Sequence, residues 1–345
     1  MAVDTEDFKT YYNTVREAVR DGAFRPADST PDSYYFHYTF LDVLMKIISN
    51  QELWATDAKY LNDEEEFQFV LPILKRALDT RFGYHEAGCV RLREGFSKYI
   101  NGTSGNVSGM ANTGGYGSGN TTGKSSKCIG DNAWQQLTEL FGESFVICFS
   151  TERDNLTLWS EFANQGCCLE LNLWNILNSM NDSGIKIFSH GRVIYDPYTQ
   201  RKIIDEALVD ILELFFPGCD IHAGSALWRK IENLDENAFD SLIGACMAVV
   251  RYKGMFFKRH EFYAEKEYRL IVHLEDLSRI NHIAIKGMIR PYIKVPIVID
   301  SNLLKSVTLA PYNVEIAAQS VEDYLRLTDS VREVPVKRSV IKLRY

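Results

Sequence analysis

Apolar residues recur along this chain with two periods, and the changes between them mark out short strands and longer helices. Tyr34–Thr39 is a short aromatic run preceded by Pro31-Asp32-Ser33, which predicts a strand, and Leu41, Leu44, Met45 and Ile48 then recur at helical spacing. Further strands are predicted at Leu53–Ala55, at the continuous apolar run Phe145–Phe149, at Cys167–Leu173, at Arg192–Asp196 and at Lys266–Leu274, where apolar positions alternate. A final strand pair is expected at Tyr292–Ile299 and Leu303–Ala310. A leading helix runs to about Arg20 and stops at Asp21-Gly22; Asn62-Asp63 caps another that carries Phe67, Val70, Leu71 and Leu74 on one face. Helical spacing also marks Glu86–Tyr99, Ala133–Leu140, Leu156–Ala163, Ile203–Phe216, Ala238–Val250 and Val314–Leu327. Strands and helices mix without a regular βαβ rhythm. The expected fold is therefore α+β, a mixed and mostly antiparallel sheet core flanked by helices. The expected organisation is an N-terminal helical extension over 1–33, one domain over 34–330 and a tail over 331–345.

One segment breaks the pattern. Asn101–Lys127 consists almost wholly of Gly, Ser, Thr and Asn, too little apolar surface to offset its ordering entropy, and is read as a mobile insertion. Gly123-Lys124-Ser125 lacks the glycine that a phosphate-cradling loop needs five residues earlier, because Ser118 stands there.

Composition narrows the function classes. A net charge of −8 gives no general attraction to a phosphate backbone or an anionic membrane, so nucleic acid is not the default partner. No apolar stretch approaches the ~20 residues of a spanning helix, and no basic region followed by an apolar one opens the chain, which reads as cytoplasmic with no membrane partner. The seven cysteines form no CxxC, and the vicinal Cys167-Cys168 is poor geometry for a structural disulfide, so the thiols are read as reduced and mostly buried. The histidines show no HxH or HxxxH spacing, and Asn62–Glu66 is better explained as a helix cap with acids in the first turn than as a metal site. No GxSxG elbow marks a hydrolase.

Three polar clusters lie at strand ends, where a scaffold holds side chains rigidly: His37-Tyr38-Thr39; Cys148-Phe149-Ser150-Thr151 with Trp159 nearby; and Glu265-Lys266-Glu267-Tyr268-Arg269. Each has a bland reading. A histidine among aromatics is usually a hydrogen-bonded scaffold residue, a tryptophan at helical spacing is usually core, and alternating charge on a strand is usually a solvated face with ion pairs.

The order of the clusters carries more than any one of them. HYT at His37–Thr39, then Asn62-Asp63 with Glu66 three further on, Cys148-Phe149-Ser150, Leu158–Ala163 (LWSEFA) and Glu265–Arg269 (EKEYR) resemble the bacterial domain-of-unknown-function family 2971 across about Tyr34 to Ala310. The chain departs from that family's pattern at Phe162, which stands for a tyrosine, at Phe262, near the usual tryptophan, and in the insertion before Cys148.

The early-histidine, middle-strand, late-glutamate order also looks like that of ADP-ribosyltransferases, a likeness at the level of fold. It implies an NAD-consuming enzyme, an ADP-ribosyltransferase or NAD glycohydrolase, in the manner of a toxin or anti-phage defence effector. NAD would be its substrate, and a nucleic acid or protein its acceptor, with a regulatory protein partner holding activity in check. Splitting the nicotinamide–ribose bond passes through an oxocarbenium-like state, which needs hydrogen-bond donors, an aromatic wall and a carboxylate. In this arrangement His37, Tyr38 and Thr39 bind the cofactor, Phe149 or Trp159 forms the wall, Ser150 adds a hydrogen bond, Arg269 meets a phosphate or pairs with Asp63, and Glu267 with His37 is catalytic. Two other readings stand beside it: a non-catalytic ligand-sensing or protein-interaction module whose same residues form a polar network, and a metal-dependent nuclease.

Overall fold

The computed structural model describes residues 10–15, 17, 33–61, 69–106, 143–181, 185–274, 276–285, 287–312 and 315–342. The span read as one domain holds parts of two compact units. One unit comprises Met1–Ala23, Phe67–Phe141 and Asp196–Phe257, and the other Phe24–Glu66, Gly142–Tyr195 and Lys258–Tyr345.

All the described strands belong to the second unit: β1 (Tyr34–Thr39), β2 (Glu52–Asp57), β3 (Glu143–Ser150), β4 (Cys167–Asn172), β5 (Lys186–Arg192), β6 (Glu267–Leu274), β7 (Asn281–Ile285), β8 (Met288–Pro296), β9 (Leu304–Leu309) and β10 (Val336–Arg338). They form one sheet in the order β10-β9-β4-β1-β3-β2-β8-β7, with β6 on β3 and β5 on β6. Every pairing is antiparallel except that of β10 with β9. The expected mixed α+β class with a mostly antiparallel sheet is therefore present.

Period-two alternation sorts the side chains to two faces. One face carries Tyr35, Ile147, Phe149, Leu169, Tyr268 and Leu270 into the main core, where Leu44 and Ile48 of the helix Leu41–Asn50, Ile176 of Leu173–Asn181 and Val321 of Glu315–Arg326 cover it. Each such fully buried side chain stabilises the fold by about 1.5–3 kcal/mol. On the opposite face Phe36 and Tyr38 of β1 and Cys168 of β4 pack with Trp159 of the short helix Leu156–Phe162.

The strand β3 is where the sheet forks. β6 pairs with it along one edge from Glu143↔Leu274 to Ser150↔Glu267. Its other edge is shared, β2 meeting Phe145 and Val146 and β1 meeting Ser150. With neighbours on both edges and both faces covered, β3 is the continuous apolar run that its sequence predicts.

Several expectations shift. The strand expected at Arg192–Asp196 ends at Arg192 instead; it lies upstream as β5, where a bulge between Ile187 and Ser189 and the Ser189-His190-Gly191 stretch disguise the alternation. The two late strands do not pair with each other, since β8 joins β2 and β7 while β9 joins β4 and β10. β10 lies within the stretch read as a tail. The helix Ala87–Asn106 continues past Asn101 into the Gly/Ser-rich segment. The rest of that segment, the Asn62–Glu66 cap and the helix expected at Ala133–Leu140 lie outside the described residues.

The first unit is helical among its described residues, with Val70–Arg81, Ala87–Asn106, Pro197–Phe215, Ala226–Glu232 and Glu236–Gly254 as its main elements. Arg91 ties three of these together. Its guanidinium donates to the carbonyls of Ile231, Glu232 and Leu234 at 3.1, 2.9 and 2.6 Å, pairs with Glu236 at 2.9 Å and lies over the Phe239 ring. The orphan carbonyls at the end of Ala226–Glu232 are thus capped by a side chain.

Candidate functional site

The motif Glu265–Arg269 folds as a turn into a strand. A 3₁₀ helix, His260–Glu265, ends at Lys266, whose φ of 47° is left-handed and unusual for a side chain with a Cβ. The Lys266 ammonium lies 3.1 Å from the centre of the Tyr263 ring, which helps hold the bend. β6 then starts at Glu267, opposite Ser150, with Arg269 opposite Cys148, so these four side chains share one face.

Among the described residues, a buried network of four charges lies on that face. Arg269 donates from Nε to Glu267 Oε1 at 2.8 Å and from Nη2 to Oε2 at 2.9 Å, a two-pronged pair. Lys258 donates to Glu267 Oε2 at 3.2 Å and to Glu265 Oε2 at 2.7 Å. The side chains of Lys258, Glu265, Glu267 and Arg269 are 2, 10, 6 and 0 % exposed. Two cations thus meet two carboxylates with almost no water. The Cys148 thiol also hydrogen-bonds Glu267, and the Glu267 backbone N–H donates to Tyr195 Oη at 2.9 Å. Burial pushes the Glu267 carboxyl up, but the Arg269 and Lys258 charges and the hydrogen bonds outweigh it and bring its pKa down to about 2. Burial, with the Glu267 charge beside it, pushes the Cys148 thiol well up. At neutral pH the carboxylate is charged with both oxygens engaged, and the thiol is protonated.

His37 lies elsewhere. It shares its face of β1 with Tyr35, whose ring lies tilted with its centre 3.9 Å from that of Tyr268, and its own ring meets the edge of Phe149 at 5.9 Å. Tyr268 and Phe149 alternate with Glu267, Arg269, Cys148 and Ser150. The sheet therefore separates His37 from Glu267 and Ser150, and the expected convergence of the three in one cleft is not found. His37 Nδ1 lies 3.1 Å from the Cys148 carbonyl. Because a carbonyl only accepts, Nδ1 carries the proton. Burial lowers the His37 pKa, partly offset by that hydrogen bond, which keeps the ring neutral. The imidazole bridges the fork between β1 and β3.

The remaining motif residues are also committed to the scaffold. Ser150 Oγ donates to the Glu265 carbonyl at 2.9 Å and accepts from the Glu152 N–H at 3.1 Å, tying β3 to the Lys266 bend. Tyr38 Oη donates to the Glu152 carbonyl at 2.8 Å and accepts from the Asn155 N–H at 3.0 Å. Thr39 is buried, and its carbonyl would lie 2.1 Å from a Cβ added at Gly166, so the chain passes here at glycine distance. Phe149 is buried in the main core, and Trp159 is 0 % exposed with its Nε1 donating to Asp154 at 2.7 Å. Neither ring presents a wall to a ligand. Arg269 pairs with Glu267; Asp63, the other partner expected for it, lies outside the described residues.

Lys258 and Tyr195 also belong to the network and were not singled out by sequence. Their signal is faint: Lys258 follows the apolar pair Phe256-Phe257 and precedes Glu265 and Glu267 by seven and nine residues. Among the described residues, no group of three or more His, Cys, Asp or Glu is placed to hold a metal ion. No helix among them is long and apolar enough to cross a membrane. Compared with family models, with curated proteins and with solved structures, the chain matches none. The likeness to ADP-ribosyltransferases thus rests on motif order alone.

Proposed function

We propose that this chain is a non-catalytic ligand-sensing or protein-interaction module, in which the motif residues shape a rigid surface and perform no chemistry. The observation that carries this reading is the state of Glu267, buried, ionised and held through both oxygens by Arg269 and Lys258. A carboxylate that grips ribose or activates an acceptor needs a free oxygen facing substrate, and a pKa of about 2 makes it a poor base. The transferase arrangement also requires His37 beside Glu267, and the sheet lies between them. Buried ion networks whose members are all satisfied rigidify a fold, which suits a recognition scaffold.

Incubation of the full chain with NAD, with release of nicotinamide followed by chromatography, tests this reading. Release at the rate of the buffer control is expected. Release above that rate, abolished in a folded Glu267→Gln variant, would return the chain to the NAD-consuming enzymes.

A further inference from the structure

The segment 336–341 lies across the sheet unit as a strap. Val336–Arg338 runs parallel to β9, with the Pro335 carbonyl accepting from Val307 N–H and Ser339 N–H donating to the Leu309 carbonyl. Its side chains meet three carboxylates from three separate elements. Lys337 reaches Glu170 of β4 at 3.1 Å, and Arg338 forms a two-pronged pair with Glu315. Ser339 Oγ and Val340 N–H each donate to Asp154 at 2.7 Å, on either oxygen. Ile341 packs against the cluster of Trp159, Phe36 and Tyr38. Asp154 also accepts from Trp159, so the strap and the aromatic cluster are joined through one carboxylate.

The strap fits this groove imperfectly. Arg338 and Val340 are exposed, and Val336, Ser339 and Ile341 are only half buried, so little apolar area holds the segment. A partly open cavity of about 90 Å³ adjoins it, lined by Leu309, Ala310, Arg338 and Ile341 among others. The Thr308 hydroxyl, on β9 opposite Lys337, is buried, and among the described residues it finds no hydrogen-bond partner.

We propose that the groove along β9 is a peptide-binding site and that the strap is its displaceable, self-supplied occupant. The partner that fits is a protein with an extended basic segment of the strap's own type: two adjacent cations, a hydroxyl residue, and an aliphatic residue two positions further on. Such a segment would bind by adding a strand to β9, with main-chain hydrogen bonds giving affinity and Glu170, Glu315 and Asp154 giving specificity. This inference rests on the reading of the chain as an interaction module and gives that module a partner class.

The test uses the full chain and a fluorescein-labelled peptide with the sequence of residues 335–342, PVKRSVIK, followed by fluorescence anisotropy. In a Ser339→Ala, Ile341→Ala variant the strap is weakened and the groove is intact. The peptide is expected to bind this variant at least about tenfold more tightly than wild type, the effect of one charge-assisted hydrogen bond, and to lose at least that much when Asp154→Asn is added. Equal binding by all three proteins, or no saturable binding by the loosened variant, would overturn the proposal. Should the loosened variant fail to fold, hydrogen exchange on wild type decides instead. The proposal expects Ser339 and Val340 amides to exchange well before those of β9, and exchange only together with β9 would sink it. NAD turnover would remove the module reading and leave the peptide result untouched, so the two failures are distinguishable.

Discussion

His37 donates Nδ1–H to a carbonyl at the place where β1 and β2 divide one edge of β3. A backbone ladder leaves no group unpaired, and at a fork a side chain must stand in. His37→Ala is therefore expected to cost about 1–3 kcal/mol by leaving the Cys148 carbonyl without its donor. Urea denaturation measures this, and an unchanged midpoint would mean that the carbonyl is satisfied without the imidazole. Glu267 makes stability depend on pH. Its folded pKa of about 2 lies below the ordinary value of 4.5, so its contribution is fully present above about pH 4.5 and is lost as the pH falls toward 2. A shift of that size corresponds to roughly 3 kcal/mol. Urea midpoints between pH 6 and pH 3 should fall accordingly in wild type, and the fall should be shallower in Glu267→Gln. His37, with its pKa lowered by burial, adds a loss of the same sign below about pH 6.5.

Elements were legible where one face is buried and the period is clean. Tyr34–Thr39, Phe145–Phe149, Glu267–Leu274 and the helix Leu41–Asn50 fall where alternation or helical spacing puts them. β5 was displaced because a bulge breaks its period, and β7 and β10 were missed because short edge strands bury too little to leave a pattern. Sequence also cannot show close approach. Gly88 opens the helix Ala87–Asn106 against the backbone of Trp228, and a Cβ there would lie 1.8 Å from the Trp228 carbonyl oxygen. Gly88→Ala must push one helix off another and is expected to lower stability by about 1–3 kcal/mol or more, whereas alanine in an unobstructed helix would raise it by roughly 0.5–1 kcal/mol. A thermal melt separates the two signs.

At the scale of the whole molecule, the residues that sequence reading singled out do cluster in one unit, but on two faces of its sheet. Motif order along a chain carries no information about which face a residue takes; a single register position decides it, since successive side chains alternate. His37 and Glu267 therefore looked like partners and lie apart, whereas Lys258, with no motif of its own, belongs to the charge network around Glu267. The division into two units was hidden for a related reason. Each is assembled from three separated stretches, and no change of composition marks the crossings.

Glu267 is a buried structural charge, held by Arg269 and Lys258. Urea unfolding of wild type and Glu267→Gln at pH 7 measures what it contributes, with Glu265→Gln as a comparison because Lys258 reaches Glu265 whereas Lys258 and Arg269 both hold Glu267. Removing one partner of a buried ion network leaves the others uncompensated, and a loss of about 3–5 kcal/mol is expected for Glu267→Gln, with a smaller loss for Glu265→Gln. A Glu267→Gln loss within the ~0–1 kcal/mol of a surface ion pair would show that the Glu267 charge is not structural.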